Sequence, residues 1–167
     1  MLAYIGLGSN LESPEKQLPR AMQTLQQLPD IQLLRSSSLY RSQPMGMAGQ
    51  PDFVNAVAKI STDLYPMELL AILQEIEQQH QRVRTEERWG PRTLDLDILL
   101  YGDLQMHTKE LQIPHPGISD REFVLIPLQE IEGDLVIPGK GSLRELIDKL
   151  PAYQLTRIAT PDVGAQP

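Results

Sequence analysis

Phe53-Val54-Asn55-Ala56-Val57-Ala58-Lys59-Ile60 alternates with the two-residue period of an extended strand. Val54, Ala56, Ala58 and Ile60 share one side. Phe53, Asn55 and Val57 share the other, so an aromatic ring and an amide lie on one surface. Downstream, residues 67–81 place Leu69, Leu70, Leu73 and Ile76 at helical spacing, with Gln74 and Glu77 adjacent on the helix surface. A basic loop follows, then a strand at 94–100. Upstream, a Gly/Pro/Met-rich loop at 42–52 leads back to a strand predicted over 31–40. Before that, Ser13 reads as a helix N-cap with Pro14 at the first helical position. Leu18, Ala21, Met22 and Leu25 form that helix's apolar stripe, and Leu28-Pro29-Asp30 closes it. Residues 3–7 read as a buried first strand, ended by Gly8-Ser9-Asn10. The order is β-α-β-β-α-β, which predicts a ferredoxin-like α+β fold, a central antiparallel sheet flanked by helices in three α/β/α layers.

Past this unit come a turn at Gly102-Asp103, a short strand over 111–113 and the loop Pro114-His115-Pro116-Gly117. A helix over 121–130 containing Pro127, a strand at 135–137 and a capped helix at 142–150 complete the reading. Residues 1–159 are expected to form a single domain, with 160–167 a frayed tail. The longest apolar runs, such as 123–126, are strand-sized and far below the ~20 residues that cross a bilayer. No basic segment followed by an apolar one opens the chain, so no secretory signal is expected. With no cysteine there are no disulfides or thiolate metal sites. That fits the cytosol, and a cytoplasmic monomer is the expectation.

A net charge of −7 argues against a general nucleic-acid binder, which would present a basic face. Four arginines nevertheless crowd one short segment: Arg82, Arg84, Arg88 and Arg92. A basic cluster in an acidic chain suits a small polyanionic ligand, although a solvated loop balanced by Glu86 and Glu87 has the same composition. The segment runs on as Arg88-Trp89-Gly90-Pro91-Arg92-Thr93-Leu94-Asp95-Leu96-Asp97-Ile98-Leu99-Leu100. In a regular strand Leu94, Leu96, Ile98 and Leu100 fill one face while Asp95 and Asp97 project together from the other. Alone, such a pair is most simply an exposed strand face. Beside four guanidinium groups it suits a hard divalent cation holding phosphate oxygens. Magnesium takes one or two protein carboxylates and completes its shell with water and phosphate. Arginine's planar fork grips the phosphates themselves. No Gly-x-x-x-x-Gly-Lys-Ser/Thr loop is present, and Gly6-Leu7-Gly8 is too short for a dinucleotide fingerprint.

Several motifs in order resemble the 6-hydroxymethyl-7,8-dihydropterin pyrophosphokinase family from Ala3 to about Leu150. They are Gly8-Ser9-Asn10-Leu11; Tyr40-Arg41-Ser42 leading to Pro44-Met45-Gly46; Gln50-Pro51-Asp52-Phe53-Val54-Asn55; Gln74 and Glu77 before Arg82-Val83-Arg84; residues 88–98; Pro114-His115; and Arg121-Glu122-Phe123-Val124-Leu125-Ile126-Pro127-Leu128. The resemblance implies an ATP-dependent diphosphokinase of folate biosynthesis, moving diphosphate from ATP to the hydroxymethyl group of a reduced pterin and releasing AMP. It implies that Ser42, Pro44, Met45, Gly46 and Asn55 hold the pterin, whose ring stacks between Phe53 and Phe123. It implies two magnesium ions on Asp95 and Asp97, with Arg82 and Arg92 stabilising charge on the moving phosphates. His115 and Arg121 would meet other phosphate oxygens. Arg84, Arg88 and Trp89 would close over the site, and Gln74, Glu77 and Ile98 would border the nucleotide. His80 and His107 receive no role. Phe53 stands where the family often has tyrosine, which keeps the stacking and drops a hydroxyl.

Two other readings compete. A palm-like two-metal nucleotidyltransferase also sets paired aspartates on a strand, but it releases pyrophosphate rather than AMP. A ligand-sensing or RNA-binding module on the same fold would need strand aromatics and a basic face, and the chain has neither.

Overall fold

The computed structural model describes residues 1–10, 13–42, 52–81 and 94–159. In chain order the elements are β1 (Leu2–Ser9), α1 (Pro14–Gln27), β2 (Ile31–Ser36), β3 (Leu39–Ser42), β4 (Phe53–Thr62), α2 (Pro66–Gln81) and β5 (Asp95–Tyr101). Two short strands follow, β6 (Met106–His107) and β7 (Gln112–Ile113), then a 3-10 turn (Ile118–Asp120) and α3 (Glu122–Glu132). The chain continues through β8 (Val136–Ile137), β9 (Gly141–Ser142), α4 (Leu143–Asp148) and β10 (Leu155–Ala159). The main sheet is ordered β10-β3-β4-β1-β5, with β2 also paired to β4, and every pairing is antiparallel. This is the predicted ferredoxin-like order.

The alternation read in residues 53–60 decides the layering. Val54, Ala56, Ala58 and Ile60 join Ala3, Ile5 and Leu7 of β1 in a core with Leu18, Ala21, Met22 and Leu25 of α1 and Leu69, Leu73 and Ile76 of α2. Val57, on the opposite face, packs with Tyr4, Leu99 and Leu100 against Val124, Leu125 and Leu128 of α3 and Leu143 of α4. The sheet is therefore covered on both faces.

Four local expectations need correction. The strand predicted over 31–40 is two strands, because the chain breaks at Ser37-Ser38, both fully buried. There the Ser37 hydroxyl accepts the Val57 N–H at 2.9 Å in place of a backbone carbonyl. Second, the face predicted for residues 94–100 changes partway along. The β1–β5 register pairs Ile5 with Ile98 and Tyr4 with Leu100, which leaves Leu99 as a bulge. Leu94, Leu96 and Ile98 enter the first core as expected, but Leu100 moves to the second with Leu99. Third, Ser13 occupies the N-cap position in a left-handed conformation (φ 58°) and its side chain caps nothing. Its carbonyl instead accepts the Lys16 and Gln17 amides at 2.9 and 3.1 Å. Fourth, β10 was not foreseen; it pairs with β3 at the sheet edge. The segment 160–167 lies outside the described residues.

The other predicted elements hold. α3 runs through Pro127, which removes one intrahelical donor. α4 starts on a reciprocal pair: Ser142 Oγ accepts the Glu145 amide at 3.1 Å, and Glu145 Oε1 accepts the Ser142 amide at 3.3 Å. No helix among the described residues is long and apolar enough to cross a membrane.

Candidate functional site

β1 is the floor on which the predicted residues meet. Its register sets Gly8 between Asn55 of β4 and Asp95 of β5, and Gly6 between Val57 and Asp97. Both glycines project to the side of the sheet opposite the first core. A Cβ on Gly8 would lie 2.8 Å from Asn55 Oδ1, and one on Gly6 would lie 3.3 Å from a Leu99 methyl. The two bare positions let the Asn55 amide and the Leu99 side chain lie close against β1, between β4 and the carboxylates of β5. Paired glycines two apart in a strand are the sequence signal of such a close approach.

On the β4 side, Ser42 and Asn55 are both buried, and the Asn55 amide donates to Ser42 Oγ at 3.2 Å. Ser42 stands opposite Phe53 in the β3–β4 register. Phe53 and Phe123 are each half-buried, and Phe123 packs against the second core. Arg121 lies over the Phe123 ring, its guanidinium carbon 5.8 Å from the centroid.

On the β5 side, Asp95 is half-buried and Asp97 exposed. Between them the Leu96 amide donates to Glu77 Oε2 of α2 at 2.7 Å, which covers the sheet edge at the carboxylate pair. Gln74, on the same helix, is exposed, while the Ile98 side chain lies in the first core at 2% exposure.

The Leu99 bulge positions the next residue. After β5 the chain turns at Gly102, passes through the β6–β7 hairpin and returns, and the His115 amide donates to the Leu99 carbonyl at 3.0 Å. That bond brings His115 Nε2 to 3.8 Å from Asp97 Oδ2. The Gly117 amide donates to His115 Nδ1 at 3.0 Å. A ring nitrogen that accepts carries no proton, so the proton of the neutral ring sits on Nε2, facing Asp97. Burial lowers the imidazole pKa; Asp97 opposes this and Arg121 adds to it, and the net shift is downward. Gly117 also makes room for Arg121: a Cβ there would meet Arg121 Nε at 2.6 Å.

The structure therefore gathers Ser42, Asn55, Asp95, Asp97, His115, Arg121 and Phe123 about one end of one sheet face, with Phe53 on the same side of β4 as Asn55. The expected contributions of Pro44, Met45, Gly46, Arg82, Arg84, Arg88, Trp89 and Arg92 lie outside the described residues. Among the described residues no group of three or more His, Cys, Asp or Glu could hold a metal. Two adjacent carboxylates open to solvent instead fit a cation that takes most of its shell from water and ligand oxygens, as magnesium does.

Comparison with known proteins bears on the family and the fold. Residues 4–133 match the family model for 7,8-dihydro-6-hydroxymethylpterin-pyrophosphokinase (HPPK). The chain is 48% identical over 156 residues to a Haemophilus influenzae 2-amino-4-hydroxy-6-hydroxymethyldihydropteridine pyrophosphokinase, covering 93% of this chain and 97% of that one. A Pseudomonas aeruginosa protein of the same name is 44% identical over 155 residues, covering 93% and 95%. In structure the chain resembles wild-type Plasmodium falciparum HPPK-DHPS with pteroate at a TM-score of 0.67 and 14% identity, covering 89% of this chain and 42% of that longer one.

Proposed function

The chain belongs to the 7,8-dihydro-6-hydroxymethylpterin-pyrophosphokinase family, and we infer that it transfers the terminal diphosphate of ATP to 6-hydroxymethyl-7,8-dihydropterin, releasing AMP in folate synthesis. The observation that carries the residue assignment is the register of β1, which sets Gly8 between Asn55 on one side and Asp95 on the other, with Asp97 two residues along the same strand.

The flat pterin lies against Phe53 and Phe123, where ring stacking adds about 0.5 to 1.5 kcal/mol beyond area burial. The Asn55 amide both donates and accepts, and it matches a heterocycle edge that does the same. Ser42 holds that amide in orientation, and the segment with Pro44, Met45 and Gly46 adds backbone groups. Across β1, Asp95 and Asp97 would hold magnesium, for which we propose two ions, and the metal would supply neutralisation of phosphate charge. His115 presents a neutral Nε2–H to a phosphate oxygen, and Arg121 places a permanent positive charge beside it. Arg82 and Arg92 stabilise charge on the transferring group, and Arg84, Arg88 and Trp89 cover it. Glu77 keeps the Asp95–Asp97 strand in place while it borders the nucleotide with Gln74 and the Ile98 backbone.

With the substrates so held, the pterin hydroxymethyl oxygen bonds to the β-phosphorus as the bond from that phosphorus to the bridging oxygen of AMP breaks. Alignment and charge neutralisation carry such a transfer, so no covalent enzyme intermediate is needed. The test is to incubate the chain with ATP, magnesium and the hydroxymethyl dihydropterin and identify the products by mass spectrometry. AMP and pterin diphosphate are expected. Pyrophosphate with a nucleotidylated product would mean the palm-like chemistry instead.

A further inference from the structure

We propose that Glu130 is a positioning residue for the pterin side of the site, because its carboxylate locks α3 to the strand that holds Ser42. The proposal rests on the assignment of Ser42, Asn55 and Phe123 to the pterin. Ser38 lies in the corner before β3, and Tyr40 and Ser42, two apart within β3, share one side of that strand. The first two grip Glu130: the Ser38 amide donates to Oε1 at 2.9 Å, the Ser38 hydroxyl to Oε2 at 2.7 Å, and the Tyr40 hydroxyl to Oε1 at 2.8 Å. The third, Ser42, accepts from Asn55. Tyr40 lies directly opposite Asn55 in the β3–β4 register, so the strand residue held by Glu130 is also the ladder partner of the recognition amide.

On α3 the geometry mirrors this. Phe123 and Glu130 are seven residues apart and therefore lie on the same side of the helix, roughly 10.5 Å apart along its axis. The carboxylate gripped by Ser38 and Tyr40 thus ties the helix that carries Phe123 to the strand that carries Ser42. Arg157 of β10 adds a guanidinium 3.4 Å from Oε2, which joins the outer strand to the same carboxylate. Neighbouring ties fix the same helix end: the Arg35 guanidinium donates to the Ile131 carbonyl at 2.6 Å, and Lys59 pairs with Glu132 at 2.7 Å. Of these three ties, the one made by Glu130 reaches the strand that carries Ser42.

The test compares wild type, Glu130→Gln, Tyr40→Phe, their double variant and Asn55→Ala in steady-state diphosphate transfer, with each substrate varied in turn. An amide cannot accept at its nitrogen, so Glu130→Gln is expected to raise the pterin KM at least about fivefold while the ATP KM stays within about twofold. Tyr40→Phe should raise it less, and the double variant should fall short of the product of the two. A lowered urea midpoint with both KM values unchanged, or equal rises in both, would overturn the proposal. Should Glu130→Gln fail to fold, Tyr40→Phe, which keeps the ring, is judged by the same split. If Asn55→Ala raises the pterin KM and neither Glu130→Gln nor Tyr40→Phe does, the proposal alone falls. If none of the three raises it, the pterin assignment falls too.

Discussion

At Gly8 the site depends on a side chain that is not there. An added methyl would sit 2.8 Å from Asn55 Oδ1, closer than a Cβ tolerates, so the amide must move. Gly8→Ala should raise the pterin KM about tenfold with little change for ATP, and steady-state kinetics with each substrate varied would show it. Asp97 presents the opposite case, since its side chain is 50% exposed and supports no core. Asp97→Ala should cut turnover at saturating magnesium about 1000-fold or more. Its unfolding free energy by urea should stay within about 0.5 kcal/mol of wild type. Glu130 carries a pH signature. Burial would raise its pKa, but the Ser38 hydroxyl and amide, the Tyr40 hydroxyl and the Arg157 charge outweigh that, and the net shift is downward. A carboxyl with a depressed folded pKa contributes stability above its unfolded pKa and loses it as pH falls through the folded one. The stability gap between wild type and Glu130→Gln should therefore be widest near neutrality and close in acid, as urea unfolding across pH would show. Spacing put Asp95 and Asp97 on one strand face and the neighbouring arginines marked the pair as a candidate site, whereas Glu130, in a helix rich in apolar residues, carried no local signal.

Among the elements, β5 shows where periodicity stops informing. Leu94 to Asp97 alternates cleanly, but Ile98-Leu99-Leu100 is uniformly apolar, and a uniform run cannot say which side each residue takes. The bulge at Leu99 settles it, and the carbonyl it frees receives the His115 amide. The helix starts differ in the same instructive way. Ser142 with Glu145 is a reciprocal cap that the sequence announces and the structure contains. Ser13 precedes a proline just as persuasively, yet its backbone is left-handed and its side chain makes no cap bond. Ser142→Ala should cost about 1 kcal/mol in thermal or urea unfolding and leave both KM values unchanged, because α4 carries none of the proposed ligands. The break between β2 and β3 was hidden because Ser37 and Ser38 are compatible with a continuous strand. Their partners across the fold, Val57 and Glu130, turn them into a corner.

Across the molecule the sheet separates two cores with different consequences. Leu18 and Leu125 are both fully buried, one under α1 and one under α3. Leu18→Ala and Leu125→Ala should each cost about 2–5 kcal/mol by urea unfolding. Only Leu125→Ala should also raise the pterin KM, since α3 carries Arg121 and Phe123, and kinetics well below the unfolding transition would separate the two effects. The strand and helix order, the sheet face bearing Asn55 and the pairing of two aspartates follow from residues a few positions apart, and so the amino-acid sequence by itself determined them. Which distant groups share a cavity does not follow from such spacing. The approach of His115 to Asp97, the glycine floor between β4 and β5, the docking of Glu130 on β3 and the added edge strand β10 depend on register and packing between segments far apart in the chain. These only the tertiary structure decided, because contacts of that kind form when the two cores close and leave no periodic trace in the residues that make them.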